Sequence, residues 1–245
     1  MDLDDTVFDH SMTCRAAIAR LRRTEAYLGR RPLVGLWRDY LHLLDQVSPD
    51  VLSGKTSVAE ARVERWRRLA ATCGVRLARE DAQRLSASYR AHYQSLRRLV
   101  PGARELLAAL HRHVSVVVVT NNEVAEQEEK VRFLGIGPLI DGLVVSEAVG
   151  AAKPDRRIFD VALSTAGVRP DEATMLGDSW TSDVMGATGA GIRPVWFNRF
   201  GLPRPGDTPT SELRSLRPAG AAQDVLLGHA KRAREPPPAP GASEL

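Results

Sequence analysis

The chain has 245 residues, 43% of them hydrophobic, which is enough for a sizeable core arranged as one large domain or as a core with a smaller module. Its 34 basic and 30 acidic residues nearly balance, and a formal charge of +4 without a basic run argues against a nucleic-acid partner. The longest apolar runs, around Val116 to Val119 and Leu143 to Val145, are far too short to span a bilayer, and the opening Met1 to Asp5 is acidic with no apolar leader, so a cytoplasmic protein with no membrane contact is expected.

Residues 1–9 are a short, acidic, loop-like opening. Residues 10–97 repeat apolar positions at three- and four-residue spacing, the period of helices packed on one another. From Pro101 the texture alternates. Val114 to Val119 predicts a strand, followed by a helix to about Leu134. A strand over Leu143 to Val145, a helix over Arg156 to Ala166 and a strand over Thr174 to Leu176 come next, then a helix over Asp183 to Ala190 and a last strand over Arg193 to Trp196. This alternation predicts an α/β fold, a doubly wound parallel sheet with helices on both faces. The expected organisation is an α/β core of residues 1–9 and 98–228 with an inserted helical region of 10–97. A tail over 229–245, rich in proline and charge, is expected to be disordered.

Two residue types are scarce enough to inform. Only four of the basic residues are lysines, Lys55, Lys130, Lys153 and Lys231. The two cysteines, Cys14 and Cys73, lie far apart in helical stretches and form neither a disulfide framework nor a metal cluster. In open parallel sheets ligands bind at the carboxyl ends of the strands. That places Thr120 and Asn121, Ser146 with Lys153 beyond it, and Asp178 where a site is expected.

Four patches then stand out: Asp2-Leu3-Asp4-Asp5-Thr6, Thr120-Asn121, Lys153-Pro154, and Gly177-Asp178 with Asp183 five residues on. Singly they read as a solvated terminus, a turn, a surface lysine and a capped loop. Together, in this order, they resemble the four motifs of the haloacid dehalogenase-like superfamily, a likeness that covers the chain to about residue 200. The resemblance implies a Rossmann-like core and assigns residues 10–97 to that superfamily's helical cap. It is most specific in SEAVGAAKPDRRIFDVAL and GDSWTSDVMGATGAGIRPVWFN, which look like the branch of 5′-nucleotidases acting on pyrimidine or non-standard nucleoside monophosphates. Sibling N-acylneuraminate-9-phosphate phosphatases share much of this texture.

What the resemblance implies is chemically coherent. Displacing an alcohol from a phosphate dianion needs an oxygen nucleophile, neutralised phosphoryl oxygens and a proton for the leaving group. Asp2 resembles the nucleophile that becomes an aspartyl-phosphate, and Asp4 the acid and base. Mg²⁺ would be held by the Asp2 and Asp178 carboxylates and the Asp4 backbone carbonyl. Thr120, the Asn121 backbone amide and Lys153 would cradle the phosphoryl oxygens. Asp183 would orient Lys153 or water, and Thr6 would support the loop and the Asp2 carboxylate. The substrate would be a small phosphorylated metabolite. The cap aromatics read as core, with Trp37, Tyr40 and Trp66 as candidates for stacking on a base.

One departure bears on all of this. In the superfamily the nucleophile ends an apolar strand of about five residues at the middle of the sheet, whereas here only Met1 precedes Asp2. The expectation is that this first core strand is missing and that an apolar slot lies between its neighbours. Asp2 would then be a terminal loop residue too loosely held for catalysis. A start recorded downstream of the true one, or a decayed, non-catalytic homologue, would each account for this.

Overall fold

The computed structural model describes residues 1–52 and 55–228, and the expected disordered tail lies outside them. The chain divides into two compact units, one of Met1–Val7 with the chain from Leu99 on, the other Phe8–Arg98. No described helix is long and apolar enough to cross a membrane.

The described residues of the second unit form five helices: α1 (His10–Thr24), α2 (Ala26–Gly29), α3 (Leu33–Leu52), α4 (Val58–Ala71) and α5 (Arg79–Ser95). Helix α1 buries Cys14, Ala17, Ile18 and Leu21, the stripe its spacing foretells. Ser57 caps α4 by accepting the Glu60 N–H at 3.1 Å. The interior is aromatic: Tyr40, Trp66 and Tyr89 meet with ring centroids 5.0–5.4 Å apart. Tyr40 and Trp66 are only 3% and 1% exposed, so their faces are used by one another, not offered to a base. Trp37 is half-buried, with the Arg15 guanidinium 5.8 Å above its ring.

The first unit runs α6 (Ala103–His111), β1 (Val117–Thr120), α7 (Val124–Leu134), β2 (Gly142–Val145), α8 (Ser146–Val149), α9 (Arg156–Ala166), β3 (Thr174–Gly177), α10 (Gly186–Gly189), β4 (Arg193–Phe197), β5 (Ser211–Leu213) and α11 (Ala219–Leu227). All strand pairs are parallel. They form two sheets, β1–β2 and β3–β4–β5, with Thr120 level with Val145 and Gly177 level with Trp196. All four residues of β1 are buried, as a parallel strand covered on both faces requires. Val117, Val119, Val144, Ile158, Phe159, Met175 and Ile192 share one core cluster. Two elements differ from expectation. β5 is too short to read from periodicity, and a π-helical turn over Trp180–Met185 replaces the start of the helix expected from Asp183.

The N-terminus corrects the expectation of a loosely held Asp2. The Met1 amino group donates to Val117 O at 2.7 Å and Met1 O accepts from Val119 N at 2.9 Å, a parallel ladder with Met1 opposite Val118. On the other side Asp2 N donates to Leu176 O at 2.8 Å. Met1 and Asp2 therefore pair with β1 and β3 at once. Asp2 is 6% exposed and pinned at the level where both strands end. Beneath Met1 lies a cavity of about 1300 Å³, lined by Val117 and Val119 of β1, Thr174 and Leu176 of β3, and by Phe159 and Leu163 of α9.

Candidate active site

Every residue singled out in the four patches belongs to the first unit, and the strand ends bring most of them together. Lys153 lies in the loop before α9 and is 6% exposed. Its Nζ donates to Asp2 Oδ1 at 2.6 Å, to Asp183 Oδ1 at 2.7 Å and to Val119 O at 2.9 Å. All three ammonium protons are thus engaged, and an arriving anion must share or displace one of those bonds. The loop is set by Asn121, whose side chain accepts from Lys153 N at 2.8 Å and donates to Lys153 O at 2.9 Å. Asn121 therefore acts on Lys153 through its side chain, a contact not foreseen from its place after a strand.

Asp183 sits in the π-helical turn and also accepts from Ser179 N, at 3.0 Å. Its approach to β3 requires glycine at 177, where any Cβ would overlap the Asp183 carboxylate. Asp178 follows directly, and its carbonyl accepts from the Trp196 indole at 2.9 Å. Trp180 packs edge-on against Trp196, with ring centroids 5.1 Å apart. Asp2, Asp178 and Asp183 each offer a carboxylate oxygen, all within 4.8 Å of one another.

The turn after Asp2 is closed by Val7 N donating to Leu3 O at 2.9 Å. Asp5 adopts φ 60°, a left-handed conformation uncommon outside glycine, and accepts from Arg199 at 2.6 Å. Thr6 is fully buried but its Oγ1 has no hydrogen-bond partner, so it packs beneath the turn and does not tether Asp2. Asp4 is turned toward α7. Lys130 Nζ donates to its Oδ1 at 2.7 Å and Oδ2 at 3.0 Å, and Gln127 Nε2 reaches Oδ2 at 3.0 Å. The same Gln127 nitrogen donates to Thr120 Oγ1 at 2.6 Å.

Gln127, Lys130 and Arg199 were not singled out from sequence. A signal existed for two of them. On α7 the positions 127, 130 and 134 share one face, and where Leu134 marks that face as buried, Gln127 and Lys130 put polar groups on it. The scarcity of lysine pointed the same way.

The electrostatics call for a cation. Three carboxylates (Asp2, Asp178, Asp183) gather about the Lys153 ammonium and the Met1 amino group, so acidic groups outnumber basic ones. Burial pushes the Asp2 carboxyl up to about 7, with Asp183 adding to the effect and Lys153 opposing it. Burial, then the charges of Asp2, Asp183 and Asp5, hold Asp178 well above the usual carboxylate range. Burial works against the Lys153 ammonium, yet Asp183 and Asp2 overcome it and raise its proton affinity. An oxygen-rich, net-anionic cluster of this kind suits a hard divalent cation such as Mg²⁺.

Comparison with known proteins identifies the family. The profile of the haloacid dehalogenase-like hydrolases matches residues 1–191. Pyrimidine 5'-nucleotidase YjjG of Escherichia coli is 38% identical over 120 residues, which are 48% of this chain and 53% of that protein. The chain thus spans about half of that relative's length. Pyrimidine 5'-nucleotidase PynA of Streptococcus pneumoniae is 26% identical over 200 residues, covering 80% of this chain and 81% of that protein. The crystal structure of the HAD-hydrolase YfnB of Bacillus subtilis bound to magnesium superposes with a TM-score of 0.73 at 24% identity, covering 91% of this chain and 96% of that one.

Proposed function

The chain belongs to the haloacid dehalogenase-like hydrolases, and from that premise we propose that it is a Mg²⁺-dependent phosphatase. Its substrate in this reading is a small phosphorylated metabolite, a nucleoside monophosphate foremost, as in the two pyrimidine 5'-nucleotidases to which it is similar. The observation that carries the proposal is the buried Asp2 carboxylate, 2.6 Å from Lys153 Nζ and grouped with Asp178 and Asp183.

The Asp2 and Asp178 carboxylates, with the Asp4 backbone carbonyl, would hold Mg²⁺, which when bound neutralises charge on the phosphoryl oxygens. The chain's own residues do the rest. Lys153 and the Thr120 hydroxyl, with the Asn121 backbone amide, receive the phosphoryl oxygens, and Asp183 keeps Lys153 in place. The Asp2 carboxylate attacks phosphorus and the bond to the alcohol oxygen breaks, while Asp4 gives that oxygen a proton. Water then attacks the phosphorus of the aspartyl-phosphate, Asp4 takes its proton, and phosphate leaves with the Asp2 carboxylate restored. Displacing a halide would need no such proton, and Asp4 therefore favours an oxygen leaving group.

The test is inorganic phosphate release from nucleoside and sugar monophosphates, with Mg²⁺ and with chelator, for the parent chain and Asp2→Asn. The expected result is Mg²⁺-dependent release, greatest on pyrimidine nucleotides and lost in the variant. A preference for sugar phosphates would redirect the substrate assignment, and no release from any member of the panel would overturn the reading.

A further inference from the structure

The pair Gln127 and Lys130 on α7 has no place in the chemistry above, yet both are fully buried, at 0% and 1% exposure. As structural elements they are poor choices. The Gln127 Oε1 is buried with no partner, and a buried lysine must be compensated in full, whereas leucine or methionine at either position would carry neither burden. Side chains that break the rules of a packed helix face at such cost are expected where function requires them. What they hold is specific. Lys130 grips both oxygens of Asp4, and Gln127 spans from Asp4 to Thr120 through a single nitrogen.

We propose that Gln127 and Lys130 are positioning residues that set the acid and base Asp4 at a fixed offset from the phosphate-holding Thr120. The inference rests on the proposed reaction, in which Asp4 protonates the leaving oxygen at one end of the phosphoryl group while Thr120 holds oxygens at its centre. Both must keep register with the same phosphorus, and placement to within about 0.5 Å is what such work demands. A rigid helix carrying two donors three residues apart supplies that register where a turn of five residues alone would not. Asp4 is still 27% exposed at its side chain, so the clamp leaves part of the carboxylate open to a substrate.

The test exploits the leaving group. A nucleoside alkoxide needs a proton to depart, whereas nitrophenolate does not, and kcat/KM covers the steps up to phosphoryl transfer, before water attacks. Lys130→Met and Gln127→Met are compared with the parent on a pyrimidine nucleoside monophosphate and on p-nitrophenyl phosphate, with Asp4→Asn as reference. For Lys130→Met the expected loss in kcat/KM is about 10–100-fold on the nucleotide, within the reach of general acid catalysis, and under about threefold on the nitrophenyl ester. Gln127→Met should show the same selectivity with a smaller loss. An equal loss on both substrates, or none on either, in a variant that melts cooperatively would overturn the proposal. Should Lys130→Met fail to fold, the Gln127→Met arm decides alone. A parent that hydrolyses neither substrate with Mg²⁺ would instead overturn the proposed function, and a parent active on both with unselective variants would overturn this inference only.

Discussion

Lys153 Nζ stands 2.6 Å from Asp2 Oδ1, with both side chains more than nine-tenths buried. Ammonium and carboxylate come from positions 151 residues apart, so the contact exists only when β1, β3 and the Lys153 loop are assembled. Removing one partner of such a pair strands the other, which costs about 3–5 kcal/mol. Lys153→Met is therefore expected to lower the melting temperature by roughly 10 °C as well as abolish turnover. Asp183→Asn, which leaves the Asp2 contact in place, should melt closer to the parent. Thermal melts of the three proteins at fixed pH check this, and a Lys153→Met chain as stable as its parent would show that the ammonium is not what balances the site.

The grouping of three carboxylates at the site implies stabilisation by a divalent ion. A ligand that binds only the folded state contributes about 2.7 kcal/mol at one hundred times its Kd, or roughly 5–10 °C for a chain of this size. Mg²⁺ should raise the melting temperature of the parent by that order, and Asp178→Asn should lose most of the rise. If Asp178→Asn responds to Mg²⁺ as fully as the parent does, that carboxylate is no ligand.

The site was legible in the sequence to the extent that its residues are fixed by chemistry. Asp2, Asp178 and Asp183, grouped by the resemblance of the four patches to a known family, stand within reach of one another in the fold. The alternation after Pro101 likewise foretold the parallel sheets. What the sequence hid depends on neighbours distant in the chain. The face that Gln127 and Lys130 share with Leu134 reads as buried, but nothing in the sequence says that Asp4, 123 and 126 positions away, is what it meets. Met1 and Asp2 look like a frayed end, and only the backbone groups of Val117, Val119 and Leu176 give them hydrogen-bond partners. Thr6 is buried beneath the turn, as a loop support would be, but its hydroxyl has no hydrogen-bond partner and so does not hold the Asp2 carboxylate.

Asp2 also predicts a pH dependence. Its carboxyl is raised from 3.8 to about 7 in the folded chain, so between those values the folded state holds a proton that the unfolded state has released. Asp2 therefore makes stability fall as pH rises through that window, while the Met1 amino group, lowered from 8.0 to about 6 by burial, adds an opposite slope between about 6 and 8. Burial is the leading cause, and Asp178 is displaced in the same direction. Chemical denaturation in chelator from pH 4 to pH 6, below the range in which the Met1 amino group titrates, should show the decline, with Asp2→Asn flattening much of it and saturating Mg²⁺ abolishing most of the rest. A parent whose stability rises over the same interval would contradict the environment assigned to Asp2.

The cavity of about 1300 Å³ beneath Met1 makes a last prediction. Its walls are the edges of β1 and β3, and Met1 already pairs in parallel with β1 at its upper end. Five apolar residues joined to the Met1 amino group would extend about 16 Å down this slot as a parallel strand. Each Val or Ile side chain placed there gains about 1.5–3 kcal/mol from burial, against roughly 1–2 kcal/mol for ordering its backbone. The net gain of a few kcal/mol corresponds to roughly 5–10 °C. A chain carrying a Val- and Ile-rich pentapeptide before Met1 should therefore melt higher than the parent, while one carrying a Ser- and Gly-rich pentapeptide should not. The gain should come with protection of the Val117 and Leu176 amides from hydrogen exchange, since a new strand would cover both edges. Equal melting of the two extended chains would mean that the slot closes by local collapse of β1 toward β3 and accepts no strand.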